Sequence, residues 1–400
     1  MSEQIWALDS HHQYEQNHFF YGEGCVQDLT SLLDEIGAER PMLICGENVG
    51  ANEFVMGRID DAVGDRLVHI YKGVRSKTPE SSADRGVELK REYDADCIIS
   101  VGGGSASDTA KAIVAKDAEE GRSWDDLKAT ITDGGQLDVP PMPEPKDPVV
   151  AISTTLSAAE VSEAFGVTDF DNEERKVLVD EKVRSTACFY DPELAATTPS
   201  YTIASSGMNA LDHAVEVRYS AVTGDNPFYQ ATAEKATTLL FENLEAAVLE
   251  DDEEAMEKVL YGSALSALGI IGGYCINHAM NHVVCGYHDI SHGDGNSILL
   301  QHGIRYNFEA VPDRVMSIAD AMGIEEGGSD EERLETMLSE IDSLQERLGV
   351  PRSMSEAGVD EMPDEHVREM AEHAAHDPGM AANPRPVDAD AAFEILQDAW

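Results

Sequence analysis

A short apolar run, Cys97-Ile98-Ile99-Ser100-Val101, stops abruptly at Gly102-Gly103-Gly104 and passes straight into the helix-forming stretch Ser105-Ala106-Ser107-Asp108-Thr109-Ala110-Lys111-Ala112-Ile113-Val114. Few folds accommodate that order. Glycines let the backbone approach a ligand closely, and the helix behind them presents free N–H groups to an anion. Gly102, Gly103, Gly104 and Ser105 therefore read as a cradle for a dinucleotide diphosphate, with a plain tight turn as the alternative. The string is neither G-x-G-x-x-G nor a P-loop, since the Gly-Lys-Ser/Thr ending is absent.

The same alternation fills the first half of the chain. Helical spacing over residues 26–36 and 81–93 is interleaved with strand-like runs at 41–45, 67–71 and 149–152. Glu47 follows the run at 41–45, where nucleotide folds set a carboxylate against the ribose hydroxyls. There it would favour NAD over NADP; an ordinary turn residue is the other reading. Residues 116–147, with Gly134-Gly135 and the proline-rich Pro140-Pro141-Met142-Pro143-Glu144-Pro145, read as an excursion without an element. Hydroxyls cluster just past the run at 149–152, in Ser153-Thr154-Thr155-Leu156-Ser157. Beyond Pro199 the periodicity is helical throughout, over 204–219, 226–249, 253–281, 297–308, 314–322, 330–348 and 365–376. The expected organisation is an α/β dinucleotide-binding domain at 1–198 and an all-helical metal and substrate domain at 199–400, with the active cleft between them.

Charge narrows the function. The 400 residues carry 28 Lys and Arg against 77 Asp and Glu, a formal net charge of −49. Such a field repels phosphate backbones, so a nucleic-acid binder is excluded, and the carboxylates read as a solvated surface. Self-repulsion on this scale is relieved by concentrated salt, which points to a salt-rich cytoplasm. The six cysteines show no C-x-x-C spacing, as expected of buried thiols in a reducing compartment. Met1-Ser2-Glu3-Gln4 lacks a basic region and an apolar run, and no stretch is long enough to span a bilayer, so the chain reads as soluble and unexported. A homodimer is the general expectation for oligomeric state.

Five of the thirteen histidines fall between Asn277 and His302. On a helix, His278 and His282 share a face, and His292 follows a break expected at Gly286. Asn209 and His213 share the same i, i+4 spacing on a second amphipathic segment. Imidazoles from two helices can converge on a divalent ion, and iron, zinc or nickel suit them, but three neutral ligands leave the ion's charge uncompensated. A single histidine is more often a core or surface residue; the pairing favours a site. Asp212 is a weak substitute for the missing carboxylate, being off the His213 face.

Two strings carry a resemblance. Gly102-Gly103-Gly104-Ser105 with Asp108 and Lys111, and Gly207-Met208-Asn209-Ala210-Leu211-Asp212-His213-Ala214-Val215-Glu216 with His278, His282 and His292, resemble the iron-type alcohol dehydrogenase family. Membership implies a dehydroquinate-synthase-like fold and NAD(P)-dependent hydride transfer between the nicotinamide and a small alcohol, aldehyde or ketone. It further implies Gly103, Gly104 and Ser105 on the diphosphate, Asp108 towards the nicotinamide, and Thr154 and Thr155 on the cofactor. Lys176 would reach the ribose, although a solvated lysine is the alternative, and Thr198 the adenosine. Lys111 would be structural. His213, His278 and His292 would ligate iron or zinc, and His282 would relay a proton. Asn209 departs from the pattern, standing where the family has an aspartate, and offers a neutral oxygen. At Asn209, and in the short loop from Thr154 to Glu160, the chain is similar to the maleylacetate reductase branch, which works without metal. An inactive, cofactor-binding assembly partner is the reading from another class.

Overall fold

Strands short enough to be wholly enclosed, with apolar side chains on both faces, require helices above and below them. The computed structural model describes residues 18–400 apart from 132–136, Glu173, Asp251 and Glu326. Its strands are β1 (His18–Tyr21), β2 (Pro41–Gly46), β3 (His69–Val74), β4 (Cys97–Gly102), β5 (Thr130–Ile131), β6 (Leu137–Asp138), β7 (Val149–Ser153), β8 (Ala164–Asp169), β9 (Glu174–Val179) and β10 (Ala187–Tyr190). Six of them form one parallel sheet in the order β1-β10-β7-β4-β2-β3. Helices Glu80–Glu92 and Gly104–Ala118 cover one face, burying Val87, Ile113 and Val114 against Met42, Ile44 and Ile98. Leu29–Ile36 and Glu53–Val63 cover the other against Leu43, Ile99 and Val150.

The strand order creates the crevice. After β2 the chain winds outward to β3, then returns to lay β4 on the opposite side of β2. At such a reversal the loops leaving the two strands diverge, and a groove opens at their carboxyl ends. Gly46-Glu47-Asn48 and Gly102-Gly103-Gly104 form its lips.

Past β10, Pro192–Ala195 is one short helical turn, and the first long helix begins at Ser200. Helix Ser200–Tyr219 is buried almost all round from Ile203 onward, so it is the axis on which the other helices pack rather than an amphipathic surface element. Pro227–Leu249, Glu253–Ala267, Ile276–Tyr287, His292–Phe308, Pro312–Ala321, Asp330–Leu348, Asp364–Ala375 and Ala389–Asp398 complete the helical half. Among the described residues no helix is long and apolar enough to cross a membrane.

The structure differs from the sequence expectations where periodicity is weak. Residues 253–281 are not one helix: Gly269, Gly272 and Gly273 break the run into three pieces. Gly286 does not turn the chain; it lies inside Ile276–Tyr287, and the break falls at residues 288–291 instead. Within 116–147 a capped turn, Trp124–Leu127, and the β5–β6 pair are elements after all, Ser123 and Asp126 forming a reciprocal capping box. The β8–β9 hairpin was not expected. Lys111 explains its position: fully buried, its ammonium donates to the carbonyls of Ala159, Ser162 and Ala164 at 2.5, 2.6 and 3.2 Å. It thus ties the glycine-capped helix to the base of that hairpin.

Candidate active site

Gly102 has φ +143°, a conformation open to glycine alone at little cost, and it aims the chain back across the end of β4. A Cβ on Gly103 would stand 2.7 Å from Thr155 Cγ2 and Oγ1. One on Gly104 would meet Ser157 Oγ at 3.3 Å. No side chain caps the helix that starts here, so its leading N–H groups face the groove. Gly46, Glu47, Lys72, Gly102, Gly103, Gly104, Ser105, Thr155 and Ser157 line one side of a cleft of about 880 Å³, and Tyr201, Thr202, Ser205, Ser206 and Ser291 from the helical half line the other.

Four expected cofactor contacts lie elsewhere. Lys176 is neither solvated nor in the cleft: buried on β9, its ammonium lies 2.8 Å from Glu80, 3.3 Å from Asp125 and 3.5 Å from Asp169. Although burial alone would lower its pKa, Glu80 and Asp125 push it above the usual lysine range. Thr154 is buried and braces the loop, its N–H donating to Gly102 O at 3.0 Å. Thr198 donates to Thr154 O at 2.7 Å, which fixes that loop. Asp108 accepts from the Gly166 N–H at 3.1 Å and Arg175 at 3.3 Å, so it anchors β8.

The histidines meet because three helices approach more closely than side chains permit. Cβ atoms on Gly295 and Gly303 would overlap Asn281 and Asn277, and one on Gly293 would lie 2.5 Å from Ser205 O. Helix His292–Phe308 can therefore lie against both Ile276–Tyr287 and Ser200–Tyr219. Ring centroids of His213 and His278 are 4.9 Å apart, His278 and His292 5.4 Å, and His282 and His292 6.0 Å. Ser157 joins this cluster to the cradle, since its carbonyl lies 3.5 Å from Asn209 Nδ2 while its hydroxyl lies beside Gly104. His288 is half-buried against His366, ring centroids 5.4 Å apart.

Carboxylates stand behind His278. Its Nδ1 is 2.7 Å from Glu216 Oε2 and 3.1 Å from Asp212 Oδ2, and all three residues are buried. Asn277 holds the pair, with its backbone N–H on Glu216 Oε1 at 2.8 Å and its side chain on Asp212 Oδ1 at 2.5 Å. Burial opposes a charge on His278, yet Glu216 and Asp212 outweigh it and raise the ring's pKa to about 10. Burial, and then Glu216, push Asp212 up to about 6. Burial, with charged His278 nearby, drives His213 and His292 well below the ordinary histidine range. Charge is thus favoured on His278 and opposed on His213 and His292.

The front of the cluster is a row of carboxamides. Asn296 Nδ2 lies 2.7 Å from Asn209 Oδ1 and 3.0 Å from His278 Nε2, and Asn209 Nδ2 lies 3.2 Å from His213 Nε2. Asn281 Nδ2 lies 3.1 Å from His292 Nδ1. A doubly protonated His278 needs an acceptor in front of it; turning both amides over supplies Asn296 Oδ1, which otherwise has no partner. Sequence reasoning missed Asn277, Asn281, Asn296 and Glu216, though Asn281, Asn296 and Glu216 lie three or four residues from His278, His292 and Asp212 on shared helical faces; Asn277, next to His278, carried no such spacing.

Asn209, His213, His278 and His292 do not fit a divalent ion as arranged. The carboxamides of Asn209 and Asn296 stand within 3.2 Å of the His213 and His278 Nε2 atoms that would ligate it, and the Asn209 oxygen, which should carry charge, is neutral. Among the described residues, the three acid or imidazole groups whose ligand atoms converge within 4.8 Å are Asp212, Glu216 and His278, at the rear nitrogen.

A parallel nucleotide-binding sheet with its cradle at the switch point, facing a histidine cluster in a helical half, defines an α/β-plus-helical dehydrogenase fold. Residues 16–192 match the family model described as iron-containing alcohol dehydrogenase, and 203–400 the model of the Fe-containing alcohol dehydrogenase family, C-terminal. The NAD-dependent methanol dehydrogenase of Bacillus methanolicus is 29% identical over 385 residues, 94% of this chain and 97% of that one. The crystal structure of a 1,3-propanediol oxidoreductase superposes with a TM-score of 0.86 at 26% identity, over 97% of this chain and 100% of the other. Maleylacetate reductase from Rhizobium sp. strain MTP-10005 superposes with a TM-score of 0.77 at 25% identity, over 97% of each chain. The chain belongs to the iron-type alcohol dehydrogenase family and is an NAD(P)-dependent oxidoreductase.

The placement of Lys176 generates a prediction. Lys176→Met lowers the thermal midpoint by about 5 °C while leaving the KM for the nucleotide unchanged. A raised nucleotide KM at an unchanged midpoint would restore the ribose role.

Proposed function

We propose that this chain interconverts a small alcohol and its aldehyde or ketone, with NAD as the hydride carrier, in the cleft between the sheet ends and helix Ser200–Tyr219. The observation that carries this reading is a bridge: Ser157 lies beside Gly104 and against Asn209, so one residue joins the diphosphate seat to the histidine cluster. The N–H groups from Gly103 to Ser105 hold the diphosphate. Glu47, exposed at the end of β2, accepts from the ribose hydroxyls and repels a 2′-phosphate. His282 exchanges the hydroxyl proton as the hydride moves. NADH oxidation with a panel of short aldehydes and ketones, and with maleylacetate, tests the reading. Turnover is expected with at least one, and Gly103→Ala, whose Cβ would press on Thr155, is expected to raise the NADH KM by about tenfold. A cofactor that binds with no turnover across the panel would leave the inactive assembly partner in possession.

A second reading, favoured by Asn296, is that the reduction needs no metal. Although the family implies a divalent ion, the amide row occupies the front of the histidines, and stabilisation of the developing alkoxide then falls to hydrogen-bond donors of this cluster with at least one imidazole protonated. Chelation is expected to leave turnover intact, and Asn209→Asp to raise iron or zinc occupancy without raising turnover. Loss of activity on chelation, reversed by adding iron back, would sink this reading.

The acidic surface belongs to a salt-rich cytoplasm, in which counter-ions screen the −49 net charge. The thermal midpoint is expected to climb by about 10 °C between about 0.1 M and about 2 M KCl. A flat or falling midpoint would remove the case for salt adaptation.

A further inference from the structure

His282 does not stand alone. Its Nδ1 lies 2.9 Å from Asp377 Oδ2, and the other carboxylate oxygen of Asp377 accepts the Gly379 N–H at 2.8 Å, which fixes the group at the start of the turn Pro378–Ala382. That turn is held from behind: Ala382 O accepts the Ala221 N–H at 2.8 Å, at the end of helix Ser200–Tyr219. Tyr274 stands at the entrance to the His282 helix, its ring 5.9 Å from His282 and 6.1 Å from His278, at 65° to each. A Cβ on Gly379 would overlap the Tyr274 ring, so glycine is required for this packing.

We propose that Asp377 is a positioning residue for hydride transfer, acting through His282. Resting on the relay reading above, this assigns the carboxylate the task of fixing Nδ1 as the donor nitrogen, so that Nε2 is left to exchange the substrate proton. In the oxidation direction the alcohol O–H bond breaks and its proton passes to His282 Nε2. The C–H bond breaks with its electron pair, hydride passes to the nicotinamide of NAD, and the carbonyl forms. Asp377 stabilises the resulting imidazolium, and the ring, 44% exposed, returns its proton to solvent. Reduction runs the same steps backwards.

The test compares Asp377→Asn, Asp377→Glu, His282→Gln and the double variant Asp377→Asn/His282→Gln, using the best substrate of the aldehyde and ketone panel. Asn keeps an oxygen for the Gly379 N–H but not the charge. Asp377→Asn is expected to lower kcat about 10- to 100-fold, with substrate KM, NADH dissociation constant and thermal midpoint unchanged, and Asp377→Glu to recover part of the loss. In the double variant the Asn substitution is expected to cost nothing further, as residues acting through one another are not additive. A wild-type kcat in Asp377→Asn, or an equal and additive loss on the His282→Gln background, overturns the inference. If His282→Gln itself keeps full kcat, the relay reading fails and takes this inference with it. If His282→Gln is slow while Asp377→Asn is not, only the inference fails.

Discussion

Backbone packed closer than a Cβ would allow holds both halves of the site in place. On the sheet side, Gly103 and Gly104 press against Thr155 and Ser157. On the helical side, Gly293, Gly295 and Gly303 let one helix lie against two others, which brings His213, His278 and His292 together. Neither approach survives a larger residue without displacement, because interiors at this density pass strain to their neighbours. Ser157 sits where the two packings meet, so a shift in either would move the space a substrate must fill.

Much of this was legible in the chain, and the reason differs by element. β2, β4 and β7 announce themselves as uninterrupted apolar runs because both faces are covered. The cradle was readable because the glycine turn and the following helix are local. The meeting of the histidine segments could be inferred from i, i+4 spacing, whereas the break after His288 could not, since Gly286 is tolerated inside a helix and the chain turns only when Ser291 caps the next one. Lys176 was misplaced for an electrostatic reason: the carboxylates that capture it, Glu80 and Asp125, are distant in sequence and come near only when β9 folds over. Asp377 gave no signal, its partnership with His282 spanning 95 positions.

The buried acids raise a question of charge. Two carboxylates sealed from water at Asp212 and Glu216 would be costly unless a cation sat with them, and Nδ1 of His278 is the cationic group placed to do so. An aspartate at position 209 would put negative charge in front of that ring and draw a divalent ion. With Asn209 in its place the negative charge stands behind, at Asp212 and Glu216, and the cation it favours is a proton on imidazole.

In the proposed reaction that arrangement separates two tasks that would otherwise compete for one group. His278 is sealed in, the two acids behind it favour a proton on its ring, and Asn296 stands 3.0 Å from its Nε2. His282, two-fifths exposed and held by a single carboxylate, is the ring of the proposed relay that reaches solvent. Both rings project from Ile276–Tyr287 one turn apart, and the difference in their behaviour comes from what is packed behind each: two buried acids in one case, Asp377 and solvent in the other. Two like groups one turn apart on a single helix are thus given different surroundings, as the proposed division between charge stabilisation and proton relay requires.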